Sequence, residues 1–343
     1  MNTIVFAVND TFAPYLYVCL KSLVDNMSPT NAYQVYILQT RLSDVHQRNI
    51  SCLRQNNLNI TFIDMKDLIT TDNFYVTDYF TIETYFRFFL PQLFPDLDKV
   101  LYLDADTLIM TDIAPLFDID IGPYYLAATH DYEVIRLHNE KTNDYAKYFA
   151  KVLNIDAEKY FQAGCMLINL KKMRCDDITN KLLEQLKHFK KPKFLDQDIL
   201  NVVCGSNVKY ISANWNFTWH LPVMDFEYEK HLPEKHLKSY TDAMHNPYII
   251  HFSGIKPFEY QNTKYTDLFV ECIKNTPYAL WAAEKFDACY NKNIKQIKIL
   301  QRKLVKYRIL KIVTLGLGIK KYNKKISLRQ NDLRRIYTYA IKN

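Results

Sequence analysis

The first third of the chain alternates between short apolar runs and segments with the apolar spacing of a helix. Residues 4–8, 33–38 and 58–63 are predicted strands, and residues 15–24 and 43–53 between them are predicted helices. Two strands joined by a helical crossover run parallel, and the helix covers one face of their sheet. The pattern therefore predicts an α/β fold with a mostly parallel central sheet and helices on both faces.

A further apolar run, residues 100–103, ends in two carboxylates one residue apart, Asp104 and Asp106. On an extended strand, side chains two positions apart point to the same side, so these carboxylates are expected to converge on one cation. Ligands of parallel α/β sheets bind beyond the carboxyl ends of the strands, where Asn9 is also expected. Acidic pairs are also typical of caps and solvated turns. The pair is therefore a candidate metal site that needs further ligands.

His251 is the third candidate metal ligand, because it ends a strand-like run and is followed by Gly254 and Lys256. These residues combine a metal-binding imidazole, a glycine that permits close backbone approach and a cation for phosphate. Two carboxylates and one imidazole favour Mn²⁺ or Mg²⁺ over zinc, which prefers more sulfur or nitrogen. A lone histidine is more often structural than a ligand, so the assignment depends on this context.

The six glycines of the chain form neither a G-x-G-x-x-G nor a G-x-x-x-x-G-K-[ST] motif. A dinucleotide fingerprint and a P-loop are therefore excluded. A bound phosphate must then be held by a metal, by Lys256 and by backbone amides.

The middle of the chain carries weaker structural signals. Residues 72–81 predict a mobile loop near the site, and a helix that begins near Glu83 is predicted to stop at Pro91. Residues 161–170 predict a bend at Gly164 that leads into a buried strand, and a helix follows from about residue 176 to 189. Residues 215–248 are aromatic and contain several prolines, so they are predicted to be irregular.

The seven cysteines favour a reducing compartment. Their number is odd and they have no C-x-x-C spacing, which argues against a disulfide framework and a zinc site. The N-terminal residues lack the pattern of a signal peptide, and no apolar run approaches the roughly 20 residues of a membrane span. We expect a cytoplasmic protein that either stays free or attaches peripherally to the inner face of the cytoplasmic membrane.

The C-terminal segment differs in charge from the rest of the chain. From Asn291 onward 16 Lys or Arg residues stand against one acidic residue, so this segment carries +15 and the rest carries −8 of the net +7. Its apolar residues recur at helical spacing, at Ile297, Leu300, Leu304, Tyr307 and Leu310. A basic helix with an apolar stripe fits an anionic membrane surface, although it could also pack on the acidic body. We expect no nucleic acid partner, because the body has no matching basic face.

Five segments in this order and spacing resemble the family 8 glycosyltransferases, which include bacterial lipopolysaccharide galactosyl- and glucosyltransferases and glycogenin. The resemblance covers about residues 3 to 260, and the segments are residues 6–10, 98–106, 161–170, 196–201 and 251–257. It implies a GT-A type fold, a UDP-sugar donor, Mn²⁺ and transfer with retention of anomeric configuration. No internal repeat or low-complexity linker interrupts the chain up to about residue 285, so we expect one catalytic domain, residues 1–285, followed by a basic helical extension, residues 286–343.

The resemblance also implies roles for individual residues. The metal would be bound by Asp104, Asp106 and His251. The uridine pocket would be lined by Ala7, Asn9, Thr11 and Phe12. The diphosphate and the donor sugar would be contacted by Arg87, Ala105, Gln162, Ala163, Gly254 and Lys256, with Asp196 and Gln197 beside the sugar. Gln162 stands where the family usually has Asn.

The expected chemistry depends on which group lies beside the anomeric carbon. Retention by a glycosidase-like route needs a nucleophile there. The position that resembles the family's candidate is Gln197, and an amide is a poor nucleophile. We therefore favour front-face attack by the acceptor, whose proton passes to the departing phosphate, with Asp198 as the reserve nucleophile. The catalytic candidates are Asp196, Gln197 and Asp198.

The predicted function is transfer of a hexose, galactose or glucose, from a UDP-sugar to a glycan or glycolipid acceptor in cell-surface polysaccharide or lipopolysaccharide synthesis. One alternative is a phosphohydrolase of the haloacid dehalogenase type, because Asp104 to Leu108 also follows an apolar strand. That chemistry usually places the threonine one position later and the motif near the N-terminus. A second alternative is a sugar-nucleotide binding protein without catalysis, which the intact metal motif argues against.

Overall fold

The structure is a computed structural model that describes residues 1–68, 82–140, 144–189, 191–219, 230–259, 263–313 and 319–336. It divides into two compact units: Met1–Trp219 with Met224–His251, and His220–Val223 with Phe252–Asn343. The loop predicted at residues 72–81 lies outside the described residues. The division into residues 1–285 and 286–343 stays a prediction, because compactness alone does not show which segments fold independently.

The described strands all belong to the first unit. They are β1 (Asn2–Ala7), β2 (Tyr33–Gln39), β3 (Leu58–Asp64), β4 (Lys99–Leu103), β5 (Thr107–Ile109), β6 (Leu126–His130), β7 (Phe161–Asn169), β8 (Val208–Tyr210), β9 (Phe217–Thr218) and β10 (Ile249–His251).

The described α-helices of the first unit are α1 (Ala13–Asn26), α2 (Asp44–Ser51), α3 (Leu90–Leu93), α4 (Ala114–Phe117), α5 (Tyr132–Asn139), α6 (Tyr145–Lys147), α7 (Leu170–Cys175), α8 (Ile178–His188), α9 (Leu195–Cys204) and α10 (Glu234–His245). Those of the second unit are α11 (Lys264–Ile273), α12 (Ala279–Val313) and α13 (Ile319–Arg335). Short 3₁₀ segments are Lys66–Leu68, Ile82–Phe89, Ala157–Lys159, Ala213–Asn216 and Pro257–Glu259, and Tyr148–Leu153 is a π-helix.

The central sheet has the strand order β3-β2-β1-β4-β7-β6-β8. Among its pairs only β7 runs antiparallel to its neighbours, β4 and β6. The carboxyl ends of β1, β4, β6 and β8 therefore meet the amino end of β7 along one side of the sheet, which we call the site edge. Residues Ile4, Val5, Phe6 and Leu101 are fully buried, as expected for strands covered on both faces. The predicted mostly parallel α/β sheet is confirmed.

A second, three-stranded sheet has the order β5-β10-β9. Strand β10 pairs antiparallel with β5, and the register places His251 opposite Thr107. This pairing brings the end of β10 next to the segment that carries Asp104 and Asp106.

Three local predictions are wrong. Pro91 does not end a helix, because a 3₁₀ segment runs through Ile82–Phe89 and Pro91 lies in the first turn of α3, where a proline needs no N–H partner. Gly164 does not form a bend, because β7 continues through it. Residues 215–248 are not wholly irregular, since α10 lies within them and begins directly after Pro233.

The second unit contains the basic tail, and its prediction as helical is confirmed by α12 and α13. The two helices pack together around Ile297, Leu300 and Ile336, which are buried. The apolar stripe predicted for the tail is therefore largely covered within the unit. None of the described helices combines the length and the apolar character needed to span a bilayer.

Candidate active site

Asp104, Asp106 and His251 form the one cluster among the described residues that could hold a metal ion. One ligand atom from each residue lies within 4.8 Å of the other two. The strand that precedes Asp104 ends at Leu103, and Asp106 lies in a bend before β5. The carboxylates therefore converge because the chain bends between two sheets, and not because they alternate along one strand as the sequence suggested.

The orientation of the His251 ring suits metal binding. Its Nδ1 atom lies 3.0 Å from Oδ1 of Asn216, an atom that can only accept, so Nδ1 carries the proton. Asn216 is fixed in turn by donating to Oε1 of Gln162 at 2.6 Å. The Nε2 atom, the ring nitrogen left for a metal, then faces Oδ1 of Asp106 at 3.3 Å and Oδ2 of Asp104 at 3.6 Å. Three acceptors directed at one another fit a divalent cation.

Gly164 makes room for these ligands. A Cβ atom at this position would lie 2.3 Å from Cε1 of His251 and 2.6 Å from Oδ2 of Asp104. The Gly164 carbonyl also accepts from the Asp104 amide at 2.8 Å. The absence of a side chain at Gly164 is therefore required for the cluster to assemble.

Arg87 connects the metal cluster to α9. It is 8% exposed, and its Nη2 donates to Oδ1 of Asp104 at 2.9 Å while its Nε pairs with Oδ2 of Asp196 at 3.0 Å. Nη1 donates to the Ala163 carbonyl at 2.7 Å, and the guanidinium lies over the Tyr102 ring. Burial lowers the pKa of Arg87, but the two carboxylates outweigh it and raise the pKa above its usual value. The positive charge of Arg87 is therefore paired with the carboxylates of Asp104 and Asp196.

Asp196 lies in the first turn of α9 and is 5% exposed. Its Oδ1 accepts from the Thr84 hydroxyl at 2.5 Å, and its Oδ2 faces Arg87. Burial raises the pKa of Asp196 to about 6 despite the attraction of Arg87. Asp196 therefore lies in the same charged network as the metal cluster.

Gln197 is held at both ends of its carboxamide. The Ala163 amide donates to Oε1 at 2.9 Å, and Nε2 donates to Oδ2 of Asp131 at 2.9 Å. Asp131 follows β6 at the site edge, is buried, and has its pKa raised to about 6 by that burial. The group that resembles the family's catalytic candidate is therefore positioned by β6 and β7.

The geometry argues against Asp198 as a nucleophile. Its side chain is fully buried, and the hydroxyls of Tyr148 and Tyr160 donate to its two oxygens at 2.5 and 2.8 Å. The amide of Phe194 donates to it at 2.9 Å as well. Burial raises the pKa of Asp198, and these three donors partly offset the increase. A carboxylate so enclosed holds the start of α9 in place.

The residues predicted for a uridine pocket lie at the end of β1 and the start of α1. Oδ1 of Asn9 accepts from the amides of Thr11 and Phe12 at 3.0 and 3.3 Å, and its Nδ2 donates to Glu83 at 3.2 Å. Ala7 and Phe12 are half-buried, and Thr11 is exposed. The Asn9 amide thus fixes the turn that presents Thr11 and Phe12.

Two of the predicted residues, Gly254 and Lys256, belong to the second unit. Gly254 has φ +78° and no atom within 4 Å of its Cβ position, so glycine is needed there for its conformation and not to relieve crowding by the protein. Lys256 is 7% exposed and its Nζ donates to the Phe252 carbonyl at 3.0 Å. Ala105, between the two aspartates, is buried.

The sequence did not single out three buried polar residues of this site: Asp131, Asn216 and Glu83. Asn216 lies between Trp215 and Phe217 in an aromatic segment, and a polar residue in such a segment is a usable signal. Asp131 directly follows a strand at the site edge, as Asp104 does. Glu83 had no local signal, because its partner Asn9 is 74 residues away.

Comparisons with known proteins agree on one family. The sequence model of "Glycosyl transferase family 8" matches residues 3–262. A Haemophilus influenzae protein named "Putative glycosyltransferase" is 32% identical over 63% of this chain and 63% of its own length. General stress protein A of Bacillus subtilis is 26% identical over 76% of this chain and 88% of its own. The chain spans less than two thirds of the length of the first relative.

Solved structures of glycosyltransferases are also similar to this chain. The bifunctional glycosyltransferase WbbM matches with a TM-score of 0.72 and 26% identity, over 83% of this chain and 51% of that one. The galactosyltransferase LgtC, in complex with donor and acceptor sugar analogs, matches with a TM-score of 0.65 and 26% identity, over 80% of this chain and 96% of that one. These similarities confirm the predicted GT-A type fold.

Proposed function

The chain belongs to glycosyl transferase family 8, and on this premise we propose that it transfers galactose or glucose from a UDP-sugar to a glycan or glycolipid acceptor with retention of configuration. The observation that carries the proposal is the Asp104, Asp106 and His251 cluster, linked through Arg87 to Asp196 on α9. A phosphohydrolase and a binding protein without catalysis are the alternatives that the UDP-sugar panel below distinguishes.

The metal cluster supports a divalent cation, Mn²⁺ or Mg²⁺, held by Asp104, Asp106 and His251. Two carboxylates and one imidazole suit these ions better than zinc. When bound, the cation would neutralise negative charge on the diphosphate leaving group.

The remaining residues would bind and orient the donor. Asn9, Thr11 and Phe12 with Ala7 would hold the uridine, and Phe12 offers a stacking face. Lys256 and the backbone near Gly254 and Ala105 would contact the diphosphate. Arg87 and Gln162 would act mainly by fixing metal ligands, and Ala163, Asp196 and Gln197 would line the sugar.

The contacts of α9 favour front-face transfer. Gln197 is an amide and Asp198 is enclosed, so neither offers a nucleophile for a covalent intermediate. The acceptor hydroxyl would then attack on the face from which UDP departs and pass its proton to the leaving phosphate. Gln197 would contribute the dipole of its amide beside the anomeric carbon.

The relatives suggest a class of acceptor. The lipopolysaccharide 1,3-galactosyltransferase of Salmonella typhimurium is 29% identical over 46% of this chain and 44% of its own. A glycolipid acceptor in cell-surface polysaccharide or lipopolysaccharide synthesis would place the protein in the cytoplasm, at the inner face of the membrane. The catalytic domain would then be residues 1–285, with residues 286–343 as the membrane-binding extension.

The exposed face of α12 supports this location. Val305 and Ile309 are 56% and 53% exposed, and Arg302 and Lys306 on the same helix are also exposed. Basic and aliphatic side chains together favour an anionic lipid surface. We expect Arg302→Glu with Lys306→Glu to weaken sedimentation with vesicles of anionic lipid, whereas Lys147→Glu should not; equal sedimentation would count against the attachment.

The test of the function is a panel of UDP-sugars read by UDP release with Mn²⁺ or Mg²⁺. We expect release from UDP-galactose or UDP-glucose, and loss of nearly all of it in Asp106→Ala. A phosphohydrolase would instead release phosphate from a phosphomonoester, and a binding protein would bind the donor without turnover. Trapping a sugar on Asp198 by mass spectrometry would overturn the front-face route.

A further inference from the structure

The carboxamide of Gln197 lies between two partners with opposite requirements. The Ala163 amide can only donate, and it contacts Oε1 at 2.9 Å. The Asp131 carboxylate, when ionised, can only accept, and it contacts Nε2 at 2.9 Å. Of the two orientations related by a flip of the amide, only one satisfies both partners.

Asp131 is itself held rigidly by the start of α5. Its Oδ1 accepts from the Val134 amide at 3.0 Å as the N-cap of the helix, and its backbone amide donates to the Tyr160 carbonyl at 2.9 Å. One carboxylate oxygen therefore fixes Asp131 to α5, and the other directs Gln197.

We propose that Asp131 is a positioning residue that sets the orientation of the Gln197 amide for sugar transfer. The inference rests on the proposed function, because it gives Gln197 its place beside the donor sugar. A reversed amide would put its NH₂ against the Ala163 amide and its oxygen against the carboxylate. The amide dipole beside the sugar would then point the wrong way.

Exchanging the carboxylate of Asp131 and the carboxamide of Gln197 tests the contact between these two side chains. Asp131→Asn keeps the cap on Val134, because Asn is as good an N-cap as Asp, but it turns an amide NH₂ toward Nε2 of Gln197. Gln197→Glu places a second carboxylate against Asp131. The double variant restores a donor facing an acceptor and leaves an oxygen for the Ala163 amide.

The readout is UDP release to water without acceptor, so that contacts with the acceptor do not enter. We expect Asp131→Asn to lower kcat about 10- to 100-fold with KM for the donor changed less than about threefold. At one common pH, the thermal midpoint of the double variant should exceed the value obtained by adding the two single changes by about 2 to 6 °C.

Two further variants keep the inference testable. Asp156→Asn makes the same change at an exposed cap, where Oδ1 accepts from the Glu158 amide at 3.0 Å, and it should change neither kcat nor the midpoint. If Asp131→Asn does not fold, Asp131→Ser retains a capping oxygen, removes only the contact with Gln197, and should still lower kcat.

An unchanged kcat in Asp131→Asn, or changes of the thermal midpoint that simply add in the double variant, would overturn the inference. If the wild-type protein releases UDP from no UDP-sugar, the proposed function fails. The non-additivity of the thermal midpoints in the double variant would still decide whether Asp131 positions Gln197.

Discussion

Oδ1 of Asn216 accepts the Nδ1 proton of His251 at 3.0 Å, and this contact decides which ring nitrogen is available to a metal. The two residues come from different segments, Asn216 from the 3₁₀ turn before β9 and His251 from the end of β10. Their strands pair in parallel, with His251 opposite Thr218. The small sheet is therefore the framework that orients the imidazole.

Removing the Asn216 amide should weaken metal binding. Asn216→Ala leaves the His251 ring without its partner, so we expect Mn²⁺ affinity to fall about 10- to 100-fold. Titration of Mn²⁺ followed by electron paramagnetic resonance measures this without a donor. Asn214→Ala is the control, because that side chain contacts the Asn246 carbonyl instead. Equal affinities in the two variants would contradict the role of Asn216.

Adding a methyl group at Gly164 should disrupt the metal cluster directly. The new Cβ would lie 2.3 Å from His251 and 2.6 Å from Asp104, so both ligands must move in Gly164→Ala. We expect loss of measurable Mn²⁺ binding by calorimetry. Gly122→Ala serves as the control, because its surroundings are open and only its φ of +57° is strained. Normal metal binding by Gly164→Ala would show that the cluster is not the metal site.

Removing the charge of Arg87 should destabilise the fold. Arg87→Met leaves Asp104 and Asp196 without their shared counter-ion, so we expect the free energy of unfolding to fall by about 3–5 kcal/mol in urea titrations. Arg329→Met removes a more exposed ion pair with Asp332, for which at most about 1 kcal/mol is expected. Similar losses of unfolding free energy in the two variants would show that the buried ion pairs of Arg87 stabilise the fold no more than the more exposed pair of Arg329 does.

The stability of the wild-type protein relative to Asp131→Asn should depend on pH. Burial raises the pKa of Asp131 to about 6, and Glu133 nearby adds to the increase. Because the folded state holds this proton more tightly than the unfolded state, the contribution of Asp131 to stability is full below about pH 4 and is lost as pH rises through 6.

The expected size of this loss is on the order of 3 kcal/mol, from a shift of about two pKa units. Urea titrations of the two proteins from pH 4 to 7 measure it as a difference, which removes the titration of unrelated groups. A difference that stays constant over this range would show that Asp131 does not titrate there.

The local sequence pattern was sufficient to predict the first strands and helices and to find the candidate metal ligands. Alternation of apolar runs and helical spacing predicted β1 to β3 with α1 and α2 to within a few residues, because those elements bury faces set by their own periodicity. The three metal-site candidates were found because each follows an apolar run.

Prediction from the sequence failed where the surroundings of a side chain depend on residues that are distant in the chain. Asp198 carries the same carboxyl group as Asp104, and only the packing of Tyr148 and Tyr160 shows that it is enclosed. The stripe on α12 suited a membrane by its spacing, and only its packing with α13 shows that it is covered. Spacing describes which residues share a face, but it does not identify what that face meets.

The sequence by itself determined the fold class and the residue types of the candidate metal site, because both follow from periodicity and from the types of side chain at strand ends. Tertiary structure alone decided how that site is held. The bend after Leu103, the pairing of β5 with β10, and the hydrogen bonds of Asn216 and Asp131 join segments far apart in the chain. Such contacts arise from strand pairing and burial, and no local pattern of residues encodes them.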